Sequence, residues 1–154
     1  MGKVIQPPDS GVNLFVNVWT VTDISESPFR AQFWFNSTPP SEGNIQTALV
    51  TPSNTAIQPP PEPRIELQLE SNVTGNPVGG IKAFVRRGEP EITLVETENG
   101  KLIFPPGGSF LVFLSLAEGS QAPAAGRVAF GWWEERIIGN DCFSCENWRF
   151  NKDR

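Results

Sequence analysis

The sequence predicts an all-β domain, an antiparallel sandwich of two sheets. Fifteen prolines and fourteen glycines punctuate all 154 residues and leave no room for a long helix. Between them lie short runs rich in β-branched and aromatic residues, several alternating with period two. About eight such runs at short spacing suit a two-sheet sandwich, with a jelly roll as the expected topology.

The first run is Val12 to Thr22. Leu14, Val16 and Val18 share one face, and Phe15, Trp19 and Val21 share the other, the mark of a strand covered on both sides. Phe29 to Asn36 sets Phe29, Ala31, Phe33 and Phe35 against Arg30, Gln32, Trp34 and Asn36. Ile45 to Thr51 is a weaker run, followed by a proline-rich bridge with Pro52 and Pro59-Pro60-Pro61-Glu62-Pro63, read as an extended connector. Arg64 to Glu70 alternates cleanly, with Ile65, Leu67 and Leu69 on one side and Arg64, Glu66, Gln68 and Glu70 on a wet side. Further runs are Gly80 to Arg86, Ile92 to Thr97, Lys101 to Phe104, Phe110 to Leu116 and Arg127 to Ile138. Asn99-Gly100 falls between two of them and predicts a tight hairpin. Pro105-Pro106-Gly107-Gly108 predicts another reversal, and Gly119 to Gly126 an exposed loop. The resulting division is an extended N-terminal arm over 1–10, a sandwich over 11–138 and a C-terminal arm over 139–154.

Twelve basic against seventeen acidic residues give a net charge of −5, with no basic face to release counterions from nucleic acid. No stretch approaches the ~20 apolar residues of a membrane span, and the first residues lack the apolar core of a secretory signal. The expectation is a protein made without a signal peptide that neither inserts into membranes nor binds nucleic acid.

The chain has no histidine and no tyrosine. The missing histidine removes the Ser-His-Asp and Cys-His arrangements and the commonest metal ligand. Carboxylates remain. Glu134-Glu135 beside Trp132-Trp133, with Asp141 nearby, invites comparison with two-carboxylate glycosidases. Adjacent strand residues point to opposite faces, however, so Glu134 and Glu135 cannot form the pair together, and Glu66, Glu91 or Glu96 would have to supply the second. Solvated carboxylates are the simpler reading, and the expectation is no enzyme, no cofactor and no metal. Cys142-Phe143-Ser144-Cys145 supplies half of a four-ligand zinc site and lacks the βαβ setting of a redox motif. Two reduced thiols or a disulfide to a neighbouring subunit, through Cys142 or Cys145, both stay open.

Of the five tryptophans, Trp34 and one of Trp132 and Trp133 lie on the less apolar faces of their runs. They are candidate contacts for a neighbour or, as aromatic platforms, for a glycan. The arms add Val4 and Ile5 at one end and Phe143, Trp148 and Phe150 at the other. Three aromatics in a tail require docking, onto the same domain or onto the next copy, where an arm can add a strand to an open sheet edge. A head-to-tail contact of that kind generates rings or filaments.

The stretches GVNLFVNVWTVTDISESPFRAQFWFNSTPP, GGIKAFVRRGEPEITLVETENGKLIFPPGGSFLVFLS and GRVAFGWWEE, which cover most of Gly11 to Glu135, resemble a family of small β-proteins of spore-forming Bacillus- and Clostridium-type bacteria to which no activity is assigned. The chain is also similar, more loosely, to the jelly-roll subunits of endospore appendages, which are made without a signal peptide and polymerise through a disulfide-forming N-terminal connector. Here the N-terminal arm has no cysteine, so the resemblance implies a C-terminal covalent lock. It implies a non-enzymatic, self-assembling subunit of a spore or cell-surface fibre or layer. A carbohydrate- or surface-binding module and a viral or phage capsid-type jelly roll are the alternatives.

Overall fold

Two antiparallel sheets pack face to face in the computed structural model, which describes residues 1–40, 44–116 and 124–137. Its strands are β1 (Gly2–Ile5), β2 (Val12–Asp23), β3 (Phe29–Phe35), β4 (Asn44–Ala48), β5 (Glu66–Ser71), β6 (Ile81–Gly88), β7 (Thr93–Phe104), β8 (Ser109–Leu116) and β9 (Gly126–Arg136), and no helix occurs among the described residues. One sheet has six strands in the order β4-β5-β1-β8-β3-β6, and the other has three in the order β7-β2-β9. The all-β sandwich is as predicted. A six-plus-three partition does not establish a jelly roll.

The core lies between the sheets. Trp19 and Val21 of β2 meet Phe29, Ala31 and Phe33 of β3, and Phe110 and Val112 of β8. Phe33 packs against Trp19 at 4.2 Å and Phe84 at 4.5 Å between ring centroids. Such pairs add about 0.5–1.5 kcal/mol each beyond the area they bury.

Three local readings change. Residues 2–5 are not part of a detached arm: β1 sits inside the six-stranded sheet between β5 and β8, with Val4 buried in the core. Gln6 continues the attachment through backbone bonds of 3.0 Å with Gly107 and Gly108. In β2 a bulge at Asn17 explains the apolar residues on both faces. Register skips between Val16 and Val18, so Val12, Leu14 and Val16 point inward, and Trp19, Val21 and Asp23 then do the same. Asn99-Gly100 makes no hairpin. Val16 pairs with Leu102 and Val18 with Thr97, so residues 98–101 bulge opposite Asn17 within one continuous β7. Asn99 (φ 50°) and Gly100 (φ 75°) do take the left-handed conformation expected of the pair. The chain does not reverse, because both flanking runs pair with β2 rather than with each other.

The six-stranded sheet has an unusual consequence of strand direction. β3 and β4 run the same way, as do β5 and β6, and three strands separate the members of each pair. The connections from β3 to β4 and from β5 to β6 therefore each join opposite ends of the sheet across three strands. The inner face is filled by the core, so the crossings run over the outer face. Within the described parts of these segments Thr38 and Val78 bond reciprocally at 2.9 Å, and Pro77 and Ser37 are buried. Leu111 and Phe113, which point away from the core on this sheet, are only 0% and 5% exposed.

Candidate functional site

The three-stranded sheet covers only part of the six-stranded one, and the uncovered part borders a groove of about 910 Å³. One wall is β9 from Phe130 to Arg136, and the other is the proline-rich excursion, at residues 49–53 and 61–64. Leu67 of β5 lines it, and Ser10 and Gly11 contribute beside Val12. Leu49, on the excursion, is 98% exposed.

Glu134 anchors that excursion. One carboxylate oxygen accepts the Arg64 N–H at 2.9 Å; the other accepts the Ile65 N–H at 3.3 Å and the Trp132 indole N–H at 3.2 Å. A charged acceptor suits backbone donors that have no sheet partner. On the opposite face of β9 the Trp133 indole donates to Glu135 at 3.1 Å. The two Trp–Glu pairs thus alternate sides, as strand geometry requires. Of the other carboxylates weighed from the sequence, Glu66 is exposed, Glu91 stands at a left-handed position and Glu96 pairs with Arg86 at 2.9 Å. Asp141 lies outside the described residues. No group of three potential metal ligands occurs among the described residues.

The outer face of the three-stranded sheet is the second feature. Ile103, Phe15 and Trp133 form one row across it, and Val95, Thr20 and Ala129 another. Val95 is 59% exposed, Ile103 53% and Trp133 37%. Trp133 stacks on Phe15 with ring centroids 5.3 Å apart and an angle of 4°. The far edge of its indole lies over Gly100, where a β-carbon would collide with the ring.

The predicted contact residues are scattered. Val4 is in the core and Ile5 half-buried. Trp34 lies on the outer face of the six-stranded sheet, beside the covered Leu111, with its indole nitrogen buried and the Lys82 ammonium 5.5 Å from its ring centroid. Cys142, Phe143, Cys145, Trp148 and Phe150 lie outside the described residues. Of the other tryptophans, Trp19 is a core residue that donates to Glu98 at 3.2 Å.

Sequence reasoning missed Glu70, assigned to the wet side of β5. It is 6% exposed, and one of its oxygens has no hydrogen-bond partner. Desolvation pushes its carboxyl above the ordinary 4.5, against the pull of the Met1 amino group and Lys3. Desolvation likewise lowers the Lys3 amine, partly offset by Glu70. Alternation correctly put Glu70 opposite Leu67 and Leu69, but nothing local reveals a covered outer face.

A family model described as a family of unknown function, DUF6143, matches residues 1–139. The chain belongs to the DUF6143 family. In this DUF6143 domain the matched span runs from β1 through β9, so residues 1–10 and the sandwich fall within one family unit, and both cysteines lie beyond it. Comparisons with curated proteins and with solved structures find no match.

Proposed function

We propose that this protein is a non-enzymatic structural subunit that assembles with copies of itself. The observation that carries the reading is the bare outer face of the three-stranded sheet. Its middle is mostly uncharged, built of Phe15, Val18, Thr20, Val95, Thr97, Ile103, Ala129 and Trp133, with Lys101 exposed in the β7 bulge and Arg127 and Glu135 toward its ends. Three strands spanning the twelve residues of β2 make a patch about 14 Å by about 40 Å, or about 570 Å². Two copies packed on it bury about 1,100 Å² together, enough for a specific interface. Face-to-face packing pairs two copies, and strand addition at an edge such as β4 extends pairs into rings or filaments.

The reading moves the contacts from the arms to the sheets, because β1 is already committed to its own sheet. The family resemblance supplies the setting, a spore or cell surface. A glycan platform draws less support, because Phe15 takes one side of the Trp133 ring and Gly100 its far edge.

The test is light scattering and negative-stain microscopy over a range of concentrations. The parent protein is expected to form dimers and larger rings or fibres. Val95→Glu with Ile103→Glu is expected to weaken association at least ~10-fold while leaving the circular dichroism spectrum unchanged. A monodisperse monomer of the parent at high concentration would refute the proposal.

A further inference from the structure

We infer that two copies meet through the outer face of the three-stranded sheet about a two-fold axis that crosses the strands at the level of Gly131. Each strand of that sheet then lies over its own counterpart, running the opposite way. The inference rests on the assembly reading and specifies how the partner is oriented. Register sets the levels. Gly131 pairs with Val18 and Val18 with Thr97, which makes the central level. Two residues along β9 to one side is the row of Trp133, Phe15 and Ile103, and two residues to the other side is the row of Ala129, Thr20 and Val95. One step further out on the same face stand Glu135 beyond the first row and Arg127 beyond the second, both exposed.

Such an axis exchanges the levels on its two sides, so that unlike rows face each other. The first row is a ridge, because Trp133 lies stacked on Phe15 with its far edge over Gly100. The second is a trough of smaller side chains. The ridge of each copy thus enters the trough of the other. A β-carbon at Gly131 would stand 2.9 Å from a Val18 methyl, so the level that meets itself is filled by that methyl alone and stays low. The same operation sets Arg127 against the partner's Glu135, twice in the pair. With sheets about 10 Å apart and crossing at about 30°, the two Cα atoms come about 12 Å apart, which the two long side chains close between them. Within one copy Arg127 and Glu135 are about 27 Å apart and do not meet. Lys101 is exposed on β7, which ends the sheet order, and there its amine reaches water past a packed face. A two-fold parallel to the strands would instead set ridge on ridge and Arg127 on Thr93, with no charge to answer it.

The test is sedimentation velocity at low salt on Arg127→Glu, Glu135→Arg and the double variant. Each single variant puts like charges at both ends of the interface and is expected to weaken association at least ~5-fold. An equimolar mixture of the two single variants regains the parent's association, because opposite charges again face each other at both ends; so does the double variant alone. Ala129→Trp fills the trough and is expected to weaken association at least ~10-fold with an unchanged circular dichroism spectrum. A parent that sediments as a monomer at every concentration overturns this inference together with the assembly reading. A parent that associates while the single variants or Ala129→Trp match it, or while the mixture fails to recover, overturns the two-fold and leaves assembly standing.

Discussion

The two outer faces of the sandwich carry similar residues and have opposite fates. Leu111, Phe113 and Trp34 on the six-stranded sheet resemble Ile103, Val95 and Trp133 on the three-stranded one in size and polarity. The first set is buried or half-buried, on the face that two segments joining strands of like direction must cross; the second is largely exposed. The difference comes from connections. β3–β4 and β5–β6 join strands of like direction in one sheet, and such joins must pass over a face. No strand of the smaller sheet follows another of that sheet in the chain, so none of its connections has to cross it. The face left bare is therefore the one available to a partner, and composition does not decide which face that is.

Substitution across the two faces tests this contrast most strongly. Phe113→Ala is expected to cost about 3–5 kcal/mol, as in a closed core. Val95→Ala should stay within about 0.5 kcal/mol for the isolated subunit, as at an ordinary surface site. Denaturant melts of both decide it, and equal losses would break the comparison.

A smaller effect sharpens the bare side. Gly100→Ala places a β-carbon at φ 75° and against the Trp133 indole. It should cost about 1–2 kcal/mol from backbone strain and displace the ring, with a red shift of tryptophan emission. The smallest effect belongs to the covered side. Glu70 has a raised carboxyl pKa, so the folded state holds its proton more tightly than the unfolded chain does. Its contribution improves as pH falls and is lost as pH rises through the folded value. Glu70→Gln removes that penalty, so the variant's thermal midpoint should exceed the parent's at neutral pH. The gap should narrow as pH falls toward 4.5. A gap independent of pH would mean that Glu70 is not held under cover.

Much of the fold was legible in the sequence. The alternation at Phe29–Phe35 and at Ile65–Leu67 correctly identified inward residues, because two sides of a strand meet different solvents. The proline-rich bridge is exposed, but residues 53–59 turn and bend rather than run extended throughout. Where the reading went wrong, a distant partner had decided the outcome. Asn99-Gly100 has hairpin chemistry, yet β2 holds both flanks in one strand. Val4-Ile5 is too short to be a layer, yet β5 and β8 leave a strand-wide place for it. The candidate site was less legible still. Glu134 was visible as a carboxylate beside tryptophans, but its role as the acceptor for Arg64 and Ile65, about seventy residues earlier, depends on the excursion passing β9.

By itself, then, the sequence determined that this chain is all-β, where most of its strands fall within a few residues, and which side chains share a face within an unbroken strand. These follow from period-two patterning and from the backbone preferences of proline and glycine, which are local. The tertiary structure decided where the periodicity slips, as at Asn17, and which strand lies beside which. It also decided which of two similar apolar faces is closed. Those outcomes depend on the direction of strands distant in the chain, and on the path a connection must take between them, and no local pattern encodes either.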